Sequence, residues 1–168
     1  MIELGEETAV VPPVVEAEVE ERAVEALREA LGDRLVSIVL FGSRARGDAR
    51  PESDWDLLVL ANGLPNAVLE RQKSLQRVLP LSRDGGISVL AKTPDEFESR
   101  LPALYLDIAL DGRVLYDRSG FARSRLGTLR KLIQDAGLYR ERTPDGDIWR
   151  WKQPPTGRWA LEWPETAR

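Results

Sequence analysis

Hydrophobic positions along the chain change their period several times, and each change marks an element. From residue 15 to 31, apolar residues recur every four positions, at Val15, Val19, Ala23, Leu27 and Leu31. Glutamates and arginines fill the other side and Gly32 follows, so the spacing predicts an amphipathic helix. Residues 35–41 (LVSIVLF) form a short, partly β-branched apolar run that stops at Gly42, which predicts a buried strand. Residues 43–53 are polar, hold Gly47 and Pro51, and predict a loop or short helical turn. A second strand is predicted over 54–61 (DWDLLVLA), a helix over 65–79 closed by Pro80, and a third strand over 87–92 (ISVLAK) after an Asp84-Gly85-Gly86 turn.

Thr93-Pro94-Asp95-Glu96 is a helix start, with Thr93 as the cap and Pro94 at the first helical position. That helix is expected to run through Glu98, break at Pro102 and continue toward Leu110. A short strand over 113–116 and a helix from Ser119 to Ala136, ended by Gly137, complete the pattern. The division expected is an irregular start (1–14), a main domain (15–136) and a C-terminal extension (137–168). The extension holds Trp149, Trp151, Trp159 and Trp163 at alternating positions on either side of QPPTG, which predicts a Trp-rich β-hairpin.

Composition removes several chemistries. The 168 residues include no cysteine and no histidine. Disulfides, Cys- or His-ligated metals and Ser-His-Asp or Cys-His catalysis are therefore excluded. Any metal must be held by oxygen, which points to Mg²⁺, Mn²⁺ or Ca²⁺. The formal net charge of −4 argues against a general nucleic-acid binder, so nucleic acid is not the expected partner. The acidic N-terminal stretch does not read as a signal peptide, and no apolar run approaches the ~20 residues needed to span a bilayer. A cytoplasmic protein with no membrane contact is the expectation.

The candidate chemistry lies in FGSRARGDARPESDWDLLVL, residues 41–60. On a strand Asp54 and Asp56 point the same way, about 7 Å apart at Cα, while Trp55 and Leu57 face the other layer. Two carboxylates at the mouth of a buried strand repel each other and resist desolvation. One or two divalent cations resolve that conflict, and a cation pair is the clamp used for in-line phosphoryl or nucleotidyl transfer. Gly42 allows close backbone approach to a phosphate, Ser43 offers a hydroxyl and a backbone N–H, and Arg44 and Arg46 carry charge suited to a triphosphate.

This arrangement, with ten residues between Gly42-Ser43 and Asp54-x-Asp56, closely resembles the signature of the polymerase-β-like nucleotidyltransferases, in particular the minimal nucleotidyltransferase branch. The resemblance spans residues 17–118. It implies an α+β fold with a small mixed sheet flanked by helices, Mg²⁺ dependence, and transfer of a nucleoside monophosphate from a nucleoside triphosphate to an acceptor. Phosphates would lie at Gly42, Ser43, Arg44 and Arg46, and metal at Asp54 and Asp56. It also implies an alternative role as the antitoxin-like partner of a small helical protein of the HEPN type. Active members of the family carry a third acid on a later strand just before a Thr-Pro helix start. Ser88 stands at that position here, which leaves the implied site one carboxylate short.

Overall fold

The computed structural model describes residues 13–80, 85–144 and 146–164. The expected turn at Asp84 lies outside them. The elements are α1 (Pro13–Leu31), β1 (Leu35–Phe41), α2 (Gly42–Arg46), β2 (Trp55–Ala61), α3 (Val68–Gln76), β3 (Ile87–Lys92), α4 (Pro94–Ser99), α5 (Ala103–Asp111), β4 (Arg113–Asp117), α6 (Phe121–Asp135), β5 (Leu138–Thr143) and β6 (Gly146–Trp151). The first helix starts two residues ahead of its expected position, because Pro13 has the fixed φ suited to a first turn and no N–H to lose there.

The main sheet runs β3-β2-β1-β4. β1 is antiparallel to both β2 and β4, and β2 is parallel to β3, so the sheet is mixed as expected. Alternation along the strands divides the core into two layers. Ile38, Leu40, Trp55, Leu57 and Val59 pack with Ala23, Leu27 and Leu31 of α1 and Leu75 of α3. Val39, Leu58 and Leu60 face the opposite way, against Phe97, Leu106 and Ile108 and the α6 residues Leu126 and Leu129. Leu27, Leu40, Leu58 and Leu129 are wholly buried, each stabilising the fold by about 1.5–3 kcal/mol.

Polar clamps fix the helices to this frame. Thr93 and Glu96 form a capping box on α4. Glu96 also takes a bidentate pair from the buried Arg71 on α3, at 2.7 and 2.9 Å. That guanidinium holds the Glu96 carboxyl at about 2, well below the usual carboxylate range, with the Thr93 backbone N–H adding to the effect. Asp117 accepts from the Ser37 hydroxyl and from the backbone N–H groups of Ala122 and Arg123, joining β1, β4 and the start of α6.

The C-terminal hairpin is present as β5–β6, with Trp149 and Trp151 on its second strand. The pairing differs from the expected one. The turn is at Thr143–Gly146, and the partner of the Trp149–Trp151 stretch is the segment before it, not the segment after QPPTG. Pro154 and Pro155 supply no N–H for a ladder, and residues 152–164 run without strand structure. Trp159, Leu161 and Trp163 instead pack on the α5–α6 layer of the core. The Trp163 indole N–H donates to the carbonyls of Phe97 and Arg100, both at 3.1 Å, closing the end of α4.

Candidate active site

The chain turns sharply at the end of β1. Gly42 has φ +75°, and a Cβ there would lie 2.4 Å from Asp56 Oδ2. Only glycine allows the motif backbone and this carboxylate to sit so close. The short helix α2 then folds over Ser43, whose carbonyl accepts from the backbone N–H groups of Gly47 and Asp48 at 2.9 and 3.1 Å.

Asp54 lies just ahead of β2 and Asp56 lies within it. Asp56 is paired in register with Phe41 on one side and Ser88 on the other. Trp55 and Leu57 belong to the opposite core layer, so the expected division of faces holds. Asp54 Oδ1 accepts from the backbone N–H of Gly86 at 2.9 Å. Sequence patterning missed this anchor, although the Gly85-Gly86 pair marks it. A Cβ on Gly85 would meet the Ser53 carbonyl oxygen at 2.1 Å.

Burial raises the Asp56 carboxyl above its ordinary range, and the neighbouring Asp54 charge raises it further. The Ser88 hydroxyl and Arg46 oppose the shift. Among the described residues, positive charge does not offset these two effects on Asp56, at the place where β1, β2 and β3 meet. No cluster of three or more acidic ligands occurs among the described residues. Two carboxylates fit Mg²⁺ or Mn²⁺ nonetheless, because such ions keep several waters and complete their shell with phosphate oxygens.

The arginines of α2 diverge. Arg46 is partly exposed and pairs with Asp48 at 3.2 Å. Arg44 points inward, and its side chain is 1% exposed. Its guanidinium donates to the carbonyls of Ser53 and Pro51 and to Glu16 of α1, and stacks 4.2 Å over the Trp55 ring. The structure directs the Arg44 side chain into the protein, away from the place expected for it. In the structure it clips the loop before Asp54 onto α2, because an i, i+2 spacing on a helix sends two side chains to opposite sides.

Two cavities border α5, and the first of them reaches this corner. One, of about 560 Å³, is bounded by Gly42, Arg46 and Asp48, by Asp107 and Ile108 of α5, and by the β5–β6 hairpin. The other, of about 1010 Å³, extends from Leu90 and Lys92 on β3 past Tyr105 to Leu161 and Trp163. Leu104 borders both.

Comparison with known proteins agrees with this geometry. Residues 20–116 match the family model described as a nucleotidyltransferase domain. A protein of Methanocaldococcus jannaschii that bears the name protein adenylyltransferase is 35% identical over 111 residues, covering 64% of this chain and 76% of the relative. Another of that name from the same organism is 31% identical over 94 residues, covering 55% of this chain and 90% of the relative. Among solved structures, the Shewanella oneidensis complex of a tri-AMPylated HEPN toxin with its MNT antitoxin matches at 19% identity and TM-score 0.45, covering 71% of this chain and 91% of that one.

Proposed function

The chain belongs to the nucleotidyltransferase domain family, and we propose that it transfers the adenylyl group of ATP to a hydroxyl on a protein. The observation that carries this reading is the corner itself: Gly42 packed against Asp56, with Asp54 beside it, and among the described residues no cation that offsets the upward shift of the Asp56 carboxyl. The names of the Methanocaldococcus relatives supply the protein acceptor. A separate small helical protein, of the kind the family resemblance implies, fits that role.

On this reading Asp54 and Asp56 hold Mg²⁺ or Mn²⁺, Gly42 and Ser43 meet the triphosphate, and Arg46 adds positive charge at its edge. Bound there, the cation would neutralise the phosphates and align the attacking and leaving oxygens. The acceptor oxygen bonds to the α-phosphorus as the bond to the bridging β-phosphate oxygen breaks. Pyrophosphate leaves and the hydroxyl proton passes to solvent. Ser88, in register with Asp56, is a hydrogen-bond donor and cannot act as the base a carboxylate would be.

Calorimetric titration of ATP with and without Mg²⁺, on the wild type and on Asp54→Asn, tests the assignment. The expected result is metal-dependent binding that the substitution weakens by more than roughly a hundredfold, since a direct ligand outweighs the outer-shell partners whose loss costs ~10–100-fold. Pyrophosphate release should fall with it. Equal binding by both proteins would remove Asp54 from the site.

A further inference from the structure

Resting on that reading, we propose that the β5–β6 hairpin is a wall of the nucleotide site, that the 560 Å³ cavity it closes takes the nucleoside half of the triphosphate, and that Arg142 is the residue that contacts the base. The hairpin, residues 138–151, lies beyond the stretch matched by the family domain, which ends at residue 116.

The cavity begins at the motif. Gly42 and Arg46 form one side of it, and Arg142, Thr143 and Gly146 at the hairpin tip form the other. Its volume falls in the ~300–1,000 Å³ range of small-molecule sites. The hairpin is fixed in place. Arg140 pairs with Asp107 at 3.2 Å and Asp111 at 2.5 Å on α5, and with Asp147 of β6 at 3.4 Å. The Trp149 indole N–H donates to Asp107 at 3.2 Å. The tip also reaches back to the motif loop, where Arg142 and Arg46 both pair with Asp48, at 3.6 and 3.2 Å.

The lining decides which part of a nucleotide fits. Asp48, Asp107, Asp111 and Asp147 face the cavity. Those carboxylates disfavour a triphosphate, which instead belongs on the metal side of Gly42. Their charges are nearly cancelled by Arg46, Arg140 and Arg142. What is left is a near-neutral recess rich in acceptors, matched to the ribose hydroxyls and to an exocyclic base amine. Arg142, with a side chain 67% exposed, is held at the rim by Asp48 at 3.6 Å and Asp147 at 3.7 Å, exposed pairs weak enough to yield when a base presents its face to the planar guanidinium.

The test uses the full chain with Mg²⁺ and two probes, ATP and inorganic tripolyphosphate, titrated into wild type and Arg142→Ala. An azido-adenine ATP photoprobe is mapped in parallel by peptide sequencing. The expected result is about a tenfold loss of ATP affinity in Arg142→Ala, the scale of one charged contact, with tripolyphosphate affinity and thermal midpoint unchanged. The photoprobe should label peptides from 138–151 or α5. Unchanged ATP affinity, or label confined to β3, α4 or residues 159–164, overturns the proposal while leaving the transferase reading in place. A wild type that binds tripolyphosphate but gains nothing from the nucleoside overturns it as well. Failure to bind either probe sinks the transferase reading, and this inference with it.

Discussion

The corner between β1 and β2 and the strap of residues 152–164 are both irregular, both close over the core, and are held by different means. The corner is bound by directional polar contacts. Arg44 takes the Ser53 and Pro51 carbonyls, Gly86 takes Asp54, and Gly42 makes room for Asp56. Such contacts hold groups in one geometry, which is what the proposed site for phosphate and metal requires. The strap is bound by ring contacts, Trp151 on Trp159 at 5.2 Å and Trp163 on Phe97 at 5.3 Å, with one indole N–H shared between two carbonyls. Ring contacts are tolerant of small shifts. Damage in the corner should therefore be lost chemistry, and damage in the strap should be graded loss of stability.

The sharpest way to break that contrast is Gly42→Ala. The new methyl meets the Asp56 carboxylate, and the left-handed backbone strains any side chain. Transfer activity should fall by roughly a hundredfold, and the fold should lose about 1–3 kcal/mol, read by pyrophosphate release and by denaturant unfolding. Retained activity would mean that the close approach is incidental. Next in size is Trp163→Phe, which keeps a ring on Phe97 and deletes the N–H. A cost of about 1 kcal/mol in unfolding is expected, with ATP affinity unchanged. A change in ATP affinity would show that the strap takes part in the site.

The smallest effect concerns the clamp between α3 and α4. Glu96 titrates at about 2 in the folded protein against 4.5 when free. A depressed carboxylate contributes stability above its unfolded value, and that contribution is lost as pH falls from 4.5 toward 2. Its side chain is 40% exposed, so the effect should stay under about 1 kcal/mol. Thermal midpoints of wild type and Glu96→Gln should converge over that window, and parallel curves would place acid sensitivity elsewhere.

The corner was legible in the sequence because its determinants are close together along the chain and each has one physical reading. Gly42-Ser43, Asp54-x-Asp56 and the Thr93–Glu96 capping box all fall where the spacing predicts. Two things were not legible. Arg44 and Arg46 look alike as a basic pair in a loop, and only the helical turn at Gly42–Arg46 sends one inward and one outward. In the extension, Trp159, Leu161 and Trp163 alternate as a strand does, but alternation also suits an irregular segment laid along helices. Which segment pairs with β6 was decided by the turn after Thr143, not by the aromatic residues.

The mixed sheet has a consequence for the order in which the protein comes together. β1 and β2 are antiparallel neighbours joined by the α2 turn, so Gly42, Asp54 and Asp56 belong to one local unit that closes with little loss of chain entropy. β3, which brings Ser88 and the Gly86 anchor, joins in parallel only after a crossover through α3, and the hairpin follows later still. Synthesis from the N-terminus delivers the carboxylate pair first, its anchor second, and the wall that closes the cavity last. If the proposed roles hold, a ribosome-bound chain that ends before β5 would already carry the metal-binding half of the site with its nucleoside side open.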